Sequence, residues 1–357
     1  MINIAKPVIG EEEKKAVLDV LDSGILSQGS NIKEFEDSFA KYIGAKYATA
    51  TSSGTTALQT ALLAHDIKKS DEVITTPFSF IATANSIIHG GAKPVFVDIE
   101  KDTFNINPDL IEEKITDKTK AMLIVSLFGL TPDMEKICSI AKKHDLILIE
   151  DCAQSNGAEF KNKKAGSFGT GCFSFYPTKN MTTGEGGMLT TNDEKIAETS
   201  RMIINHGSKV KYHHEILGYN FRMNSISAAI GIEQLKKLDH LNKKRIENAN
   251  YLIENLKNTN IILPKIKEGY KHVFHQFAIL VENRDKVQKV LLENNIRSDI
   301  HYPMPIFEQP LYQRLGYSTE GFNVSREVCR KVLSIPIHPS LTKEDLDHII
   351  KTLREIK

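Results

Sequence analysis

The stretch AMLIVSLFGLTPDMEKICSIAKKHDLILIEDCAQ, residues 121–154, reads as a strand, a helix and a second strand that ends on acids. AMLIVS (121–126) and LILIE (146–150) are short, β-rich apolar runs bounded by turn residues. Between them, Pro132 to His144 has helical spacing, with Pro132 fitting the first turn and Thr131 its cap. Two strands joined through a helix run parallel, because the crossover returns the chain to the same end of the sheet. The pattern continues upstream from about Tyr47. EVITT (72–76) and PVFVD (94–98) are further strands, and Thr55 to His65, Ile81 to His89 and Pro108 to Ile115 are helical stretches. Such alternation specifies an α/β fold with a mostly parallel sheet covered on both faces.

Downstream of Thr191 the alternation fades. A long helix spans Asn224 to Leu256, with Leu235, Leu238, Leu241, Ile246 and Leu252 among its apolar positions. A strand at His275–Val281, a helix at Asp285–Asn294, a strand at Ile296–His301 and closing helices make this part α+β. The expected division falls inside the long helix: a large domain over 1–240, with an N-terminal helical segment, and a small C-terminal domain over 241–357.

A chain of 357 residues with 41% apolar and 25% charged residues is globular, not disordered. Lys+Arg and Asp+Glu stand at 46 and 45, so no broad field points to nucleic acid or an anionic membrane. The start, MINIAKPVIGEEEKK, lacks the basic-then-apolar layout of a signal peptide, and no apolar run reaches the ~18 residues of a membrane span. Cys138, Cys152, Cys172 and Cys329 form no CxxC pair and read as reduced thiols of a cytoplasmic protein. No G-x-G-x-x-G follows a strand and there is no Walker loop, so nicotinamide and ATP enzymes have no support. His213-His214 and the His272/His275 pair lack a completing Cys or carboxylate cluster, so no metal is expected.

Ligands of a parallel sheet sit beyond the carboxyl ends of its strands. Three features fall there. In TSSGTTAL (51–58), Gly54 allows close approach of an anion, Ser53 and Thr55 offer hydroxyls, and a helix start offers free N–H groups. That is a phosphate seat or simply a capped helix. Asp151, after LILIE, is a ligand-binding carboxylate or a cap. FSFYPTKNMTTGEGGML (173–189) presents Lys179 in a loop where a lysine is ordinarily just solvated.

Together the three describe one site for pyridoxal phosphate (PLP). That cofactor needs an amine, an acid for its ring nitrogen, an anion seat and a flat apolar group. Lys179, Asp151, the Gly54–Thr55 turn and Phe80 provide them.

The strings SSGTTAL, PFSFIATANSI, GAKPVFVDI, LFGLTPDM, IEDCAQSNGA, FSFYPTKNMTTGEGGM, GYNFRM and HYPMP occur in the order in which this chain resembles the DegT/DnrJ/EryC1/StrS family of sugar aminotransferases. The resemblance implies an aspartate aminotransferase-like (PLP fold type I) large domain and a small α+β domain. It matches Lys179 to the lysine that binds the cofactor, Asp151 to the partner of its ring nitrogen, and Gln154 to a residue near its phenolic oxygen. Gly54, Thr55 and Ser174 match phosphate contacts, beside the Ser53 hydroxyl of the same turn, and Phe80 matches the stacking aromatic. Asn220 matches a residue reaching the phosphate from the neighbouring subunit, which implies a homodimer with shared sites. His206, Arg222, His301 and Tyr302 match positions around the substrate; Glu185, read from GEGG itself, shapes its loop or lines the pocket wall, with a general acid as the alternative.

The implied reaction moves an amino group from an amino acid, by analogy L-glutamate, to a keto nucleotide-sugar. The loop TTGEGGM resembles relatives that aminate C-4 of 4-keto-6-deoxy sugars. A 3-keto sugar or keto-cyclitol acceptor, or a PLP-binding regulator without turnover, are the alternatives. Two departures from the family pattern are the loop GSFGTGCFSF, where relatives often have an aspartate near Thr170, and Ser227, where glutamine is frequent. Lys179 is retained, whereas dehydrating relatives can carry histidine there.

Overall fold

The computed structural model describes residues 1–318 and 320–356. The large lobe is built on seven strands: β1 (Tyr47–Thr51), β2 (Glu72–Thr75), β3 (Lys93–Phe96), β4 (Thr119–Val125), β5 (Ile147–Asp151), β6 (Thr170–Ser174) and β7 (Gly187–Thr191). Their order across the sheet is β1-β7-β6-β5-β4-β2-β3. Strands β3, β2, β4, β5 and β6 pair in parallel, while β7 is antiparallel to both β6 and β1. Only β7 therefore runs backwards, and the other six strands deliver their carboxyl ends to one edge.

Helices α1 (Glu11–Ser23) and α2 (Ser30–Ile43) pack against the first half of α7 (Ser225–Leu256); between the strands lie α3 (Gly54–Ala64), α4 (Ala82–His89) and α5 (Met134–Lys143), with α6 (Glu194–Ile204) after β7. Gly231 makes the α2–α7 approach possible, since a Cβ there would lie 2.6 Å from the ring of Phe35. Phe39 meets Phe173 and Phe175 with ring centroids 4.9 and 5.3 Å apart. Because side chains alternate along a strand, burying Phe173 and Phe175 turns Ser174 to the opposite face.

The small lobe pairs β8 (Phe277–Leu280) with β9 (Val332–Ile335) in antiparallel fashion, flanked by α8 (Arg284–Glu293), α10 (Asn323–Lys331) and α11 (Lys343–Glu355); the short α9 (Pro310–Arg314) precedes α10. Helix α7 is continuous through both lobes: Leu238 sits in the core with Phe35 and Phe39, whereas Ala249, Leu252 and Leu256 sit with Phe277, Ile279 and Ile349. The start of the chain joins the small lobe, Ile2 donating to Asn295 O at 2.8 Å and accepting from Arg297 N at 2.9 Å.

Three local expectations are corrected. Residues 108–115 form two 3₁₀ turns, Pro108–Leu110 and Glu112–Lys114, because so short a run does not repay helix nucleation. Residues 296–301 form no strand; Ile296 bridges to Ile2 and Asp299 to Ser334, and two different partners give no continuous ladder. Helix α5 is capped by Asp133, which accepts from Lys136 N at 3.1 Å, so Thr131 and Pro132 lie before the cap.

Glu150 and Asp151 are consecutive on β5 and so face opposite sides of the sheet. Glu150 is buried and accepts from the N–H groups of Gly166, Phe168 and Gly169 at 2.9, 2.8 and 2.9 Å, which shapes the turn into β6. Burial pushes its carboxyl pKa up, against the pull of the three donors. Thr170, at one of the two departures, places its hydroxyl 2.8 Å from His65 Nε2.

Replacing Glu150 with Ala strands three donors in the interior. The expected loss is roughly 2–4 kcal/mol, seen in urea unfolding of the apo-protein as a lower midpoint at unchanged slope.

Candidate active site

Six elements end around one cavity of about 600 Å³. The end of β1 and the start of α3 bring Ser53, Gly54 and Thr55; the segment after β2 brings Ser79, Phe80 and Thr83. Val125 ends β4, Asp151 ends β5, and Ser174 ends β6 ahead of the loop carrying Lys179 and Glu185. The small lobe closes the far side with His275, Gln276, His301 and Tyr302.

The helix start is tightly fitted. Ser53 caps α3, its hydroxyl oxygen accepting from Thr56 N at 3.2 Å. A Cβ on Gly54 would come within 2.7 Å of Ser174 Cβ; glycine lets the strand end and the helix start close into one cradle. The free N–H groups and positive end of the helix dipole favour an anion there.

Asp151, 5% exposed, is the acid of the site. Its Oδ2 accepts from Thr83 Oγ1 at 2.8 Å and its Oδ1 from Ala153 N at 3.1 Å. Burial raises its pKa, while these donors and the charge of Lys179 work in the opposite direction. Lys179 is half-buried and lines the cavity. Loss of water lowers its pKa to about 8, although Asp151 favours the charged form. The amine therefore gives up its proton near pH 8, well below where an exposed lysine does.

Gln154 bridges the lobes, its Oε1 accepting from Phe128 N at 2.9 Å and its Nε2 donating to the Tyr302 hydroxyl at 3.0 Å. Phe80 stands at the rim, 57% exposed, with its ring centroid 6.5 Å from that of Tyr302. His301 Nδ1 lies 3.0 Å from Ser334 Oγ.

Lys179, Asp151, Ser53, Gly54, Thr55, Phe80, Gln154, Ser174, Glu185, His301 and Tyr302 thus meet in one place. Asn220, His206 and Arg222 do not. Asn220 and His206 are exposed, Asn220 bridging to Asn205, and Arg222 donates to Asn205 Oδ1 at 2.7 Å beside a separate hollow.

Thr83 and His275 were missed as site residues by the sequence reading. Thr83 lies inside the quoted PFSFIAT string, four residues after Ser79, where helical spacing brings both hydroxyls to one side. His275 is buried in the cavity wall. Burial and the charges of Lys179, Arg245 and His301 lower its pKa, so it is a neutral imidazole. Its neighbour His272 turns Nδ1 to the N–H of Phe274 at 2.9 Å. Among the described residues no three His, Cys, Asp or Glu side chains converge as a metal site would need.

The cradle, the buried acid and the desolvated lysine fit the phosphate, ring nitrogen and aldehyde of PLP. A sheet of this order with that site defines a PLP-dependent aminotransferase of fold type I. The chain belongs to the DegT/DnrJ/EryC1/StrS aminotransferase family, whose model matches residues 7–354. It is 40% identical to the dTDP-3-amino-3,6-dideoxy-alpha-D-galactopyranose transaminase of Aneurinibacillus thermoaerophilus, over 96% of this chain and 94% of that one. Among solved structures, DesV of S. venezuelae superposes with a TM-score of 0.94 at 35% identity, covering 97% of this chain and 94% of DesV. A Streptococcus pneumoniae protein in its PLP form gives 0.93 at 27% identity, covering 98% and 97%.

The depressed lysine pKa has a direct consequence. Capture of PLP by the apo-protein needs the neutral amine, so its rate rises with pH through a midpoint of about 8. In Asp151→Asn the charge that favours the ammonium is gone, and the midpoint moves lower. Stopped-flow measurement of PLP capture against pH reads both.

Proposed function

We propose that the enzyme transfers an amino group from L-glutamate to a keto nucleotide-sugar, at C-4 of a 4-keto-6-deoxy sugar. The observation that carries the aminotransferase chemistry is the placement of Lys179 and Asp151 in one cavity at the foot of α3, their charges interacting across it. When bound, PLP supplies an aldehyde that carries the amino group and a ring that accepts the electron pair left by a departing C–H proton.

In this reading the chain's own residues have distinct tasks. The start of α3, with Gly54 and Thr55, and the hydroxyls of Ser53 and Ser174 seat the phosphate. Asp151 keeps the ring nitrogen protonated, because a carboxylate stabilises the cationic ring as a neutral group does not. Lys179 would anchor the cofactor and, with its amine free, would be the base whose Nζ takes a proton from one carbon and returns it to another. One amine facing both carbons makes that transfer short. Gln154 would sit near the phenolic oxygen, and Phe80, at the cavity rim, would stack on the ring. Glu185, His301 and Tyr302 line the acceptor side.

Asn220, His206 and Arg222 are assigned to the neighbouring subunit's site in a homodimer. Their position outside the cavity of their own chain supports this assignment.

The C-4 reading rests on the loop TTGEGGM, whose Glu185 lines the cavity beside Lys179. A C-3 reading is favoured by the 3-amino sugar in the name of the Aneurinibacillus relative. Incubation with glutamate and matched 3-keto sugar nucleotides, 4-keto sugar nucleotides and keto-inositol, followed by NMR of the product, separates the cases. The expected product carries its amine at C-4; an amine only at C-3 overturns the position and leaves the cofactor chemistry standing. Lys179→Ala is expected to bind PLP only reversibly, with no borohydride-fixed cofactor on the protein.

Shared sites give a separate expectation. Lys179→Ala and Asn220→Ala subunits, each inactive alone, regain one intact site in the hybrid dimer. Mixed subunits should therefore recover about a quarter of wild-type activity under random exchange, since half the dimers are hybrids with one of two sites restored. No recovery, with exchange demonstrated by mass spectrometry, counts against the shared site.

A further inference from the structure

We propose that Ser79 and Thr83 form a one-way hydroxyl relay that keeps Asp151 ionised, which makes Thr83 a positioning residue for the acid of the site. The inference rests on the assignment of Asp151 to the ring nitrogen of PLP made above.

The geometry is a chain of three buried side chains. Ser79 Oγ lies 2.9 Å from Thr83 Oγ1, and Thr83 Oγ1 lies 2.8 Å from Asp151 Oδ2. Ser79 is 5% exposed, Thr83 1% and Asp151 5%. An ionised carboxylate only accepts, and a threonine hydroxyl has a single proton. Thr83 therefore donates to Asp151, and its oxygen is left to accept from Ser79. The direction of both bonds is fixed by Asp151 being charged. A hydrogen bond to an ionised acceptor is roughly twice as strong as one between neutral groups, and a donor feeding Thr83 strengthens it further.

The relay comes from the turn into α4. Thr83 N donates to Phe80 O at 3.1 Å, so one turn of chain carries both hydroxyls and the aromatic residue at the cavity rim. The other groups that sense Asp151 do little to hold its charge. Lys179 faces it from the β6–β7 loop as the one cation; Tyr302 from the small lobe, Cys152 beside it and Cys172 on β6 are neutral. Glu150 points to the other face of the sheet, into its own three donors. Once the amine of Lys179 is engaged with the cofactor, Thr83 and the Ala153 N–H are the protein donors left to Asp151 beside the ring nitrogen itself.

The test uses protein reconstituted with PLP labelled with ¹⁵N in the ring, whose chemical shift separates protonated from neutral ring nitrogen. In the wild type the nitrogen is expected to stay protonated from mildly acidic to mildly alkaline pH. Thr83→Val, which keeps shape and removes the hydroxyl, should show a smaller fraction of protonated ring nitrogen at any given pH, because the proton then passes more readily to Asp151; a donor worth about one pKa unit changes that ratio roughly tenfold. Ser79→Ala should shift in the same direction by less, and Thr83→Ser should restore the wild-type profile. Asp151→Asn separates the two layers of the argument. If its ring nitrogen stays protonated like the wild type, the assignment of Asp151 fails and the relay with it. If Asp151→Asn is neutral while Thr83→Val titrates as wild type, the relay alone is overturned. Should Thr83→Val fail to hold PLP, an unshifted Ser79→Ala overturns it equally.

Discussion

A carboxylate at the end of a central strand, out of reach of bulk water, stays ionised only where fixed donors stabilise it. Asp151 is such a carboxylate, and much of the structure is arranged around it. The turn into α4 brings Thr83 to one carboxylate oxygen, and the chain after β5 turns so that the N–H of Ala153 meets the other. The loop after β6 returns Lys179 to the same space. Strand alternation then forces Glu150 to the opposite face, where it needs three donors of its own and finds them in the turn before β6.

The same economy of placement links the lysine loop to the rest of the molecule. Asn180, next to Lys179, donates through Nδ2 to Asn242 Oδ1 at 2.7 Å and to Val273 O at 2.9 Å. Asn242 on α7 in turn donates to Asn156 O at 2.9 Å, in the segment that follows Asp151. One turn further along α7, the buried Arg245 donates to Phe274 O at 3.1 Å, next to the His275 that lines the cavity. The long helix is thus more than a tether between lobes. It sets the lysine, the chain after the acid and the small-lobe wall of the cavity against one another, in an interior where an unmet polar group is costly.

How far the sequence could be read follows from the range of the forces involved. Strands 72–76, 121–126 and 146–150 were legible because a buried parallel strand must be apolar throughout and short. Residues 108–115 were not, because helical spacing over so few residues says nothing about whether a helix repays its nucleation. Residues 296–301 have strand-like composition, yet their two bridges go to Ile2 and Ser334, partners that local pattern cannot reveal. In the site, Lys179, Asp151 and Gly54 stood out by type and position. Thr83 and His275 did not, since a threonine inside a helix and a histidine before a strand look the same whether they face a cavity or a core.

The sequence by itself determined the alternation of strands and helices, the carboxyl-end placement of acid, lysine and glycine, and hence the class of cofactor those groups suit. These depend on periodicity and residue type, which are local. Only the tertiary structure decided that Glu150 and Asp151 divide into a structural and a site carboxylate, and that Asn220, His206 and Arg222 lie outside their own chain's cavity. It also decided that the lysine is desolvated enough to lose its proton near pH 8. Those outcomes depend on which distant segments exclude water from a given side chain, and that is a property of the packed chain.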